Sequence, residues 1–358
     1  MKFNKIRIII LSIMFILIAT ISYAEEIDLA SESAILIDSK TGTVIYEKNS
    51  NKQMYPASTT KVLTAILTIE KGNLNDIATV SKTAIEHIPS GYSTAYLSEG
   101  EEISVQDLLK TLLIHSANDS ANVLAEYISG SIDSFVELMN QKSQELGCKN
   151  THFTNTNGIQ DENHYSTSSD LAIISKYCMQ NQIFRKIVSM ESCTIPATNK
   201  FEKRVFRNTN DSILSNSKYY RNDCIGIKTG YTSQAKNCII SACKKDDMEL
   251  IAVLLYSTHL DDRYSDLDKL FEYGYTQLPL IKTTNENKEN QNIENNATTK
   301  NVKTEIPNEK IDNKSSINDF IKSDYFMPVI LMILVSVILI FVSIILFINI
   351  KIQKNEDE

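Results

Sequence analysis

Pro56-Ala57-Ser58-Thr59-Thr60-Lys61 stands at the head of an apolar stretch. Val62, Leu63, Ile66, Leu67 and Ile69 recur at helical spacing until Gly72, which predicts a helix over residues 61–71. Ser58 and Lys61, three apart, project from one helical face, where hydroxyl and amine can hydrogen-bond. The helix N-terminus adds free N–H groups and positive potential beside Ser58. A lysine desolvated there has a lowered pKa and can act as a base. Alone, the Ser-x-x-Lys spacing is a weak signal. Ser215-Asn216-Ser217-Lys218 repeats it in a stretch that reads as loop.

Working outward, Ala34-Ile35-Leu36-Ile37 and Thr43-Val44-Ile45-Tyr46 read as a hairpin around the turn Asp38-Ser39-Lys40-Thr41-Gly42. Apolar periodicity predicts helices over 104–115, 120–128 and 134–146, and Thr167-Ser168-Ser169-Asp170 opens another through residue 177. Two strong strands follow over 237–243 and 249–256, and a last helix over 261–273. Strands at both ends with helices between predict one α+β domain. Its antiparallel sheet is formed by N- and C-terminal strands around a central helical region.

Two further triplets carry chemistry. Ser116-Ala117-Asn118 lies in a polar break between two apolar helices, and its bland reading is a helix cap. Lys228-Thr229-Gly230 precedes the strand pair; a sheet-edge lysine and hydroxyl can bind a carboxylate, and glycine admits a substrate to the backbone. Lys40-Thr41-Gly42 has the same letters but reads only as a turn. The sequence has no G-x-S-x-G elbow, H-E-x-x-H pair, G-x-G-x-x-G loop or P-loop. The five histidines are scattered and read as structural or exposed.

In this order the three triplets form the set carried by penicillin-binding proteins and β-lactamases. Over residues 28–280 the sequence resembles the low-molecular-mass penicillin-binding proteins that are serine-type D-alanyl-D-alanine carboxypeptidases. Asn118-Asp119-Ser120-Ala121, Asn157-Gly158-Ile159, His164-Tyr165-Ser166-Thr167, Asp170-Leu171-Ala172 and Gly226-Ile227-Lys228-Thr229-Gly230-Tyr231-Thr232 share the likeness. The resemblance implies a β-lactamase/transpeptidase-like domain acting on peptidoglycan stem peptides that end in D-Ala-D-Ala, with β-lactams as covalent inhibitors and no cofactor or metal. It implies Ser58 as nucleophile, Lys61 as base and Ser116 as proton relay to the leaving group. Asn118 would orient substrate and Lys61. Lys228 and Thr229 would hold the substrate carboxylate, Gly230 would lie against the bound substrate, and the N–H groups of Ser58 and Tyr231 would form the oxyanion hole. Arg263 falls where relatives place an arginine that helps bind the carboxylate; an exposed helix arginine is the alternative.

The likeness has departures. Many relatives carry a β-rich domain after the catalytic one and end in an amphipathic helix. Lys236 and Asn237 stand where a small residue is expected. A class A-like β-lactamase usually has Ser-Asp-Asn as its middle triplet and a deacylating glutamate some way beyond it, but residues 151–157 contain no Glu. A catalytically silent wall-binding or β-lactam-binding module is the other alternative; intact Ser58, Lys61, Ser116 and Lys228 argue against it.

The chain has 358 residues, 42% of them apolar, which is enough to bury a sizeable core. Its net charge of −8, without a basic stripe, gives no attraction for nucleic acid. Residues 1–24 read as a signal peptide: a basic start, an apolar run over 8–21 and small residues before Glu25. Residues 25–283 form the catalytic domain. The Asn-rich, charged tract 284–325 reads as a flexible linker, residues 326–350 as a transmembrane helix, and 351–358, with Lys351 and Lys354, as a cytoplasmic tail. The body is thus expected outside a cell membrane, tethered by one C-terminal span. The six cysteines show no framework spacing and are expected to be mostly buried free thiols, with Cys238 and Cys243 on opposite faces of a strand.

Overall fold

A computed structural model describes residues 27–300 apart from His87, with side chains to Thr284. The expected hairpin forms from β1 (Ser33–Asp38) and β2 (Val44–Lys48). Lys40-Thr41-Gly42 makes its turn, with Asp38 Oδ1 accepting from the N–H groups of Lys40 and Thr41. After a 3-10 turn at Ala57–Thr60 comes α1 (Lys61–Lys71). The middle of the chain holds β3 (Ile77–Thr79), α2 (Lys82–Glu86), β4 (Glu102–Ser104), α3 (Val105–Ile114), α4 (Asn118–Ser129) and α5 (Ile132–Glu145). Then follow α6 (Ser168–Cys178), α7 (Gln182–Val188), β5 (Ser192–Ile195) and β6 (Arg204–Arg207). The chain returns through β7 (Cys224–Thr232), β8 (Lys236–Lys245) and β9 (Met248–Ser257) to α8 (Leu260–Lys300).

β1, β2, β7, β8 and β9 form one antiparallel sheet in the order β2-β1-β9-β8-β7. Terminal strands share the sheet, as expected, and β7 with the Lys-Thr-Gly triplet is its edge. Both faces are covered, so the inner strands are apolar throughout rather than alternating. Ile35, Ile37, Ile251 and Val253 face the helical side, packing with Val62, Leu63, Leu109 and Leu124. Leu36, Leu250 and Leu254 face the opposite side against Leu267, Leu270, Phe271 and Leu278 of α8. Cys238 joins the first cluster and Cys243 the second, as a period of two requires. Each fully buried leucine contributes about 2 kcal/mol, so α1 and α8 hold the sheet between them largely through apolar burial.

Several expectations needed tertiary context. α7 and the two small sheets, β3 with β4 and β5 with β6, are too short to show a period in sequence. Among the described residues, α8 continues past 273 to Lys300, so residues 284–300 are helical where a coil was expected. Extending a helix already anchored by packing needs no new nucleus. Among the described residues, one compact unit runs to Lys288 and a second starts at Glu289. Among the described residues no helix is long and apolar enough to cross a membrane. The expected signal peptide, the rest of the linker, the span at 326–350 and the tail lie outside the described residues.

Candidate active site

Ser58 sits in the 3-10 turn and Lys61 opens α1, so the pair straddles two helix types rather than one regular face. Side chains three apart eclipse in a 3-10 turn, which brings Lys61 Nζ to 2.9 Å from Ser58 Oγ. Ala57, just before, holds a φ of 48°, a strained value for a residue with a Cβ. Gly158 packs so tightly here that a Cβ on it would lie 1.8 Å from the Ala57 carbonyl oxygen. Gly230 does the same from the sheet edge, where a Cβ would lie 2.9 Å from the Ser58 nitrogen.

Lys61 is fully buried, and among the described residues it has no carboxylate hydrogen-bond partner. Its Nζ donates to Asn118 Oδ1 at 2.8 Å and to the Asn157 carbonyl at 2.6 Å. Those partners only accept, so they consume two N–H bonds of a neutral amine and leave its lone pair for the Ser58 hydroxyl proton. Burial, with the Lys228 charge second, pushes the Lys61 pKa well below the ordinary lysine value. Geometry and electrostatics therefore both favour the form that can accept a proton.

The Ser116-Ala117-Asn118 break does not work as a cap. Ala117 occupies the N-cap of α4 and caps nothing with its side chain. Asn118 Oδ1 is committed to Lys61, and its Nδ2 donates to Ser93 O at 2.9 Å, which fixes the amide orientation. Ser116 has a φ of 65° and lines the cleft.

On the opposite wall, Thr229, Gly230 and the exposed Tyr231 line the same cleft of about 450 Å³. Lys228 lies behind that wall, fully buried, with Nζ donating to Thr229 O at 2.9 Å. Burial, and next the Arg263 charge, lower its pKa to about 7. Arg263 is only 4% exposed, so the exposed-arginine alternative fails. It lines the cleft, and Nη2 donates to Tyr264 Oη at 2.9 Å. Among the described residues its Nε has no partner. None of the cleft-lining residues is Asp or Glu.

Thus Ser58, Ser116, Asn118, Thr229, Gly230, Tyr231 and Arg263 line one cleft, with Lys61 and Lys228 beneath its floor and wall. Sequence reasoning missed Thr209, whose hydroxyl meets that of Thr229 at 2.7 Å, and the loop from Ser90 to Ser93. It also missed Asp119, which accepts from the N–H groups of Ala95 and Leu97 and so ties down the chain just beyond that loop. The Asn118-Asp119 pair was the available signal for that support. Thr209 had none, because β6 and the loop after it carry no chemical motif.

The family described as D-alanyl-D-alanine carboxypeptidase matches residues 20–258. The chain is 37% identical over 257 residues to D-alanyl-D-alanine carboxypeptidase DacF of Bacillus subtilis, covering 70% of this chain and 64% of that protein. It therefore spans just under two thirds of that relative's length. A D-alanyl-D-alanine carboxypeptidase of a Streptomyces strain is 32% identical over 260 residues, covering 69% of this chain and 88% of its own. The crystal structure of the Streptomyces K15 DD-transpeptidase matches with a TM-score of 0.66 at 29% identity, covering 71% of this chain and 100% of that one. With the family match running over more than half of its length and these folds in common, the chain belongs to the D-alanyl-D-alanine carboxypeptidase family.

Proposed function

We propose that this chain is a serine D-Ala-D-Ala carboxypeptidase, which removes the terminal D-alanine from peptidoglycan stem peptides through an acyl-enzyme on Ser58. The observation that carries this reading is the buried Lys61 amine, 2.9 Å from Ser58 Oγ and held by two acceptors. Ser58 Oγ attacks the carbonyl between the two D-alanines while Lys61 takes its proton. The N–H groups of Ser58 and Tyr231 receive the oxyanion. The C–N bond then breaks, and Ser116 passes a proton to the departing amine. Water hydrolyses the remaining ester and frees Ser58. Thr229 and Arg263 contact the substrate carboxylate from the cleft wall, and Lys228 supplies charge from behind. A cleft with an arginine and no lining Asp or Glu suits that anion.

β-Lactams acylate the same hydroxyl. A class A-like β-lactamase needs a carboxylate to drive deacylation, and the cleft lining supplies none, so the penicilloyl-enzyme is expected to be long-lived. The likeness to a DD-transpeptidase favours one second reading: an amine replacing water as acyl acceptor at the same site.

The same proposal places the catalytic domain outside the cell membrane, behind a signal peptide at 1–24 and tethered by a single span at 326–350. The support is the uncharged run of residues 327–350 followed by Lys351 and Lys354.

The test is incubation with a pentapeptide ending in D-Ala-D-Ala, followed by mass spectrometry. Loss of one D-alanine is expected, together with stable penicillin labelling of the Ser58 peptide. Stable label without D-alanine release would leave a binding module, and rapid loss of label would leave a β-lactamase.

A further inference from the structure

We propose that Cys224 and Cys243 are a cross-strand dithiol that closes to a disulfide by exchange with a small disulfide, fastening the edge strand β7 to β8. Along the rest of the β7–β8 ladder, Gly226 pairs with Ala242 and Tyr231 with Asn237. Continued unchanged, that register would set Ile225 opposite Cys243. A bulge between Cys224 and Gly226 shifts the strand by one residue and sets Cys224 there instead.

The Lys244 N–H donates to Asp223 O at 2.8 Å. In an antiparallel ladder this bond flanks a non-hydrogen-bonded pair, so Cys224 and Cys243 occupy the closer kind of position. In a regular ladder such pairs have Cα atoms about 4.5 Å apart, inside the range a disulfide spans. Both side chains lie on the α8 face of the sheet, where Cys224 Sγ donates to Gly226 O at 3.3 Å and meets Ser241 Oγ at 3.6 Å. Among the described residues none of the other four cysteines has a cysteine as register or hydrogen-bond partner.

The two sulfurs divide the work. Cys224 is half-buried, whereas Cys243 is fully buried. The neighbouring Cys243 thiol lowers the Cys224 pKa, whereas burial pushes the Cys148 thiol up to about 12. Cys224 thiolate attacks one sulfur of the external disulfide and expels one thiolate. Cys243 then loses its proton, attacks the Cys224 sulfur of the mixed disulfide and expels the second. Two protein thiols are oxidised, one external disulfide is reduced to two thiols, and the two protons leave with them. The bond ties down β7 four residues ahead of Lys228.

The experiment treats the folded full chain in detergent with oxidised glutathione, then denatures it, alkylates it and measures its mass. Two of the six thiols should be protected, and a peptide pair containing Cys224 and Cys243 should appear linked. The melting temperature should rise by roughly 5 °C and fall back with dithiothreitol. Cys224→Ser should show neither protection nor the shift, and Cys243→Ala should trap glutathione on Cys224. Alkylation of all six thiols in the treated chain, or glutathione persisting on Cys224 with Cys243 present, would overturn the proposal.

Discussion

Ser58–Lys61 and Ser215–Lys218 share residue types and spacing, but the fold gives their lysines opposite surroundings. Lys61 is buried, bound to neutral acceptors and shifted downward. Lys218 has a side chain 69% exposed, pairs with Asp261 at 2.7 Å and is shifted upward, chiefly by that carboxylate's hydrogen bond. The environment, not the motif, turns a lysine into a base: desolvation without a counter-charge disfavours the ammonium, whereas an exposed carboxylate partner favours it. The two Lys-Thr-Gly triplets repeat the lesson. Lys228 is buried at the edge of the sheet, while Lys40 is exposed in a hairpin turn.

The largest contrast is expected at the two Ser-x-x-Lys sites. Lys61→Ala should slow acylation by penicillin and by peptide about 10³-fold or more, because the nucleophile loses its base. Lys218→Ala should leave both rates unchanged. Acylation rates measured with a fluorescent penicillin decide this, and equal losses in the two variants would break the comparison.

The two Lys-Thr-Gly lysines should differ less. Lys228→Ala should lower kcat/KM about 10- to 100-fold, mainly through KM, and Lys40→Ala should have no effect. With its pKa lowered to about 7, Lys228 carries its charge below that pH and loses it above. In the free enzyme kcat/KM should therefore fall as pH rises through about 7. Lys228→Arg, if it binds substrate, should move that limb upward, because arginine stays charged. A pH–rate profile unaltered by Lys228→Arg would assign the limb to another group.

The smallest contrast lies in the glycines of the same triplets. A Cβ at Gly230 would meet the backbone nitrogen of Ser58 at 2.9 Å, and backbone cannot swing away. Gly230→Ala should cost about 1–3 kcal/mol of stability and reduce acylation. A Cβ at Gly42 would meet only the flexible end of Lys176, so the cost there is that of the φ of +79°, about 1 kcal/mol, with acylation unchanged. Denaturant melts and labelling of the two variants sharpen or reverse this order.

Local sequence determined much of this protein. The apolar period after Lys61 specified α1 with its bounds, and Thr167 specified the cap of α6 through its bond from the Asp170 N–H. Apolar runs long enough to be buried on both faces specified β8 and β9 within about two residues. The three triplets named seven of the nine candidate site residues; Tyr231 and Arg263 came from the resemblance alone. These features are legible because each is written within one or two turns of chain, where periodicity and capping act. Tertiary structure decided the rest. It placed Asn157 O on Lys61, Thr209 against Thr229, Arg263 inside the cleft and Cys224 opposite Cys243. Each of these depends on contacts between segments far apart in sequence or on a one-residue bulge. Burial and register, which set the pKa of both lysines and the pairing of the thiols, are properties of the packed sheet and do not exist in any single segment.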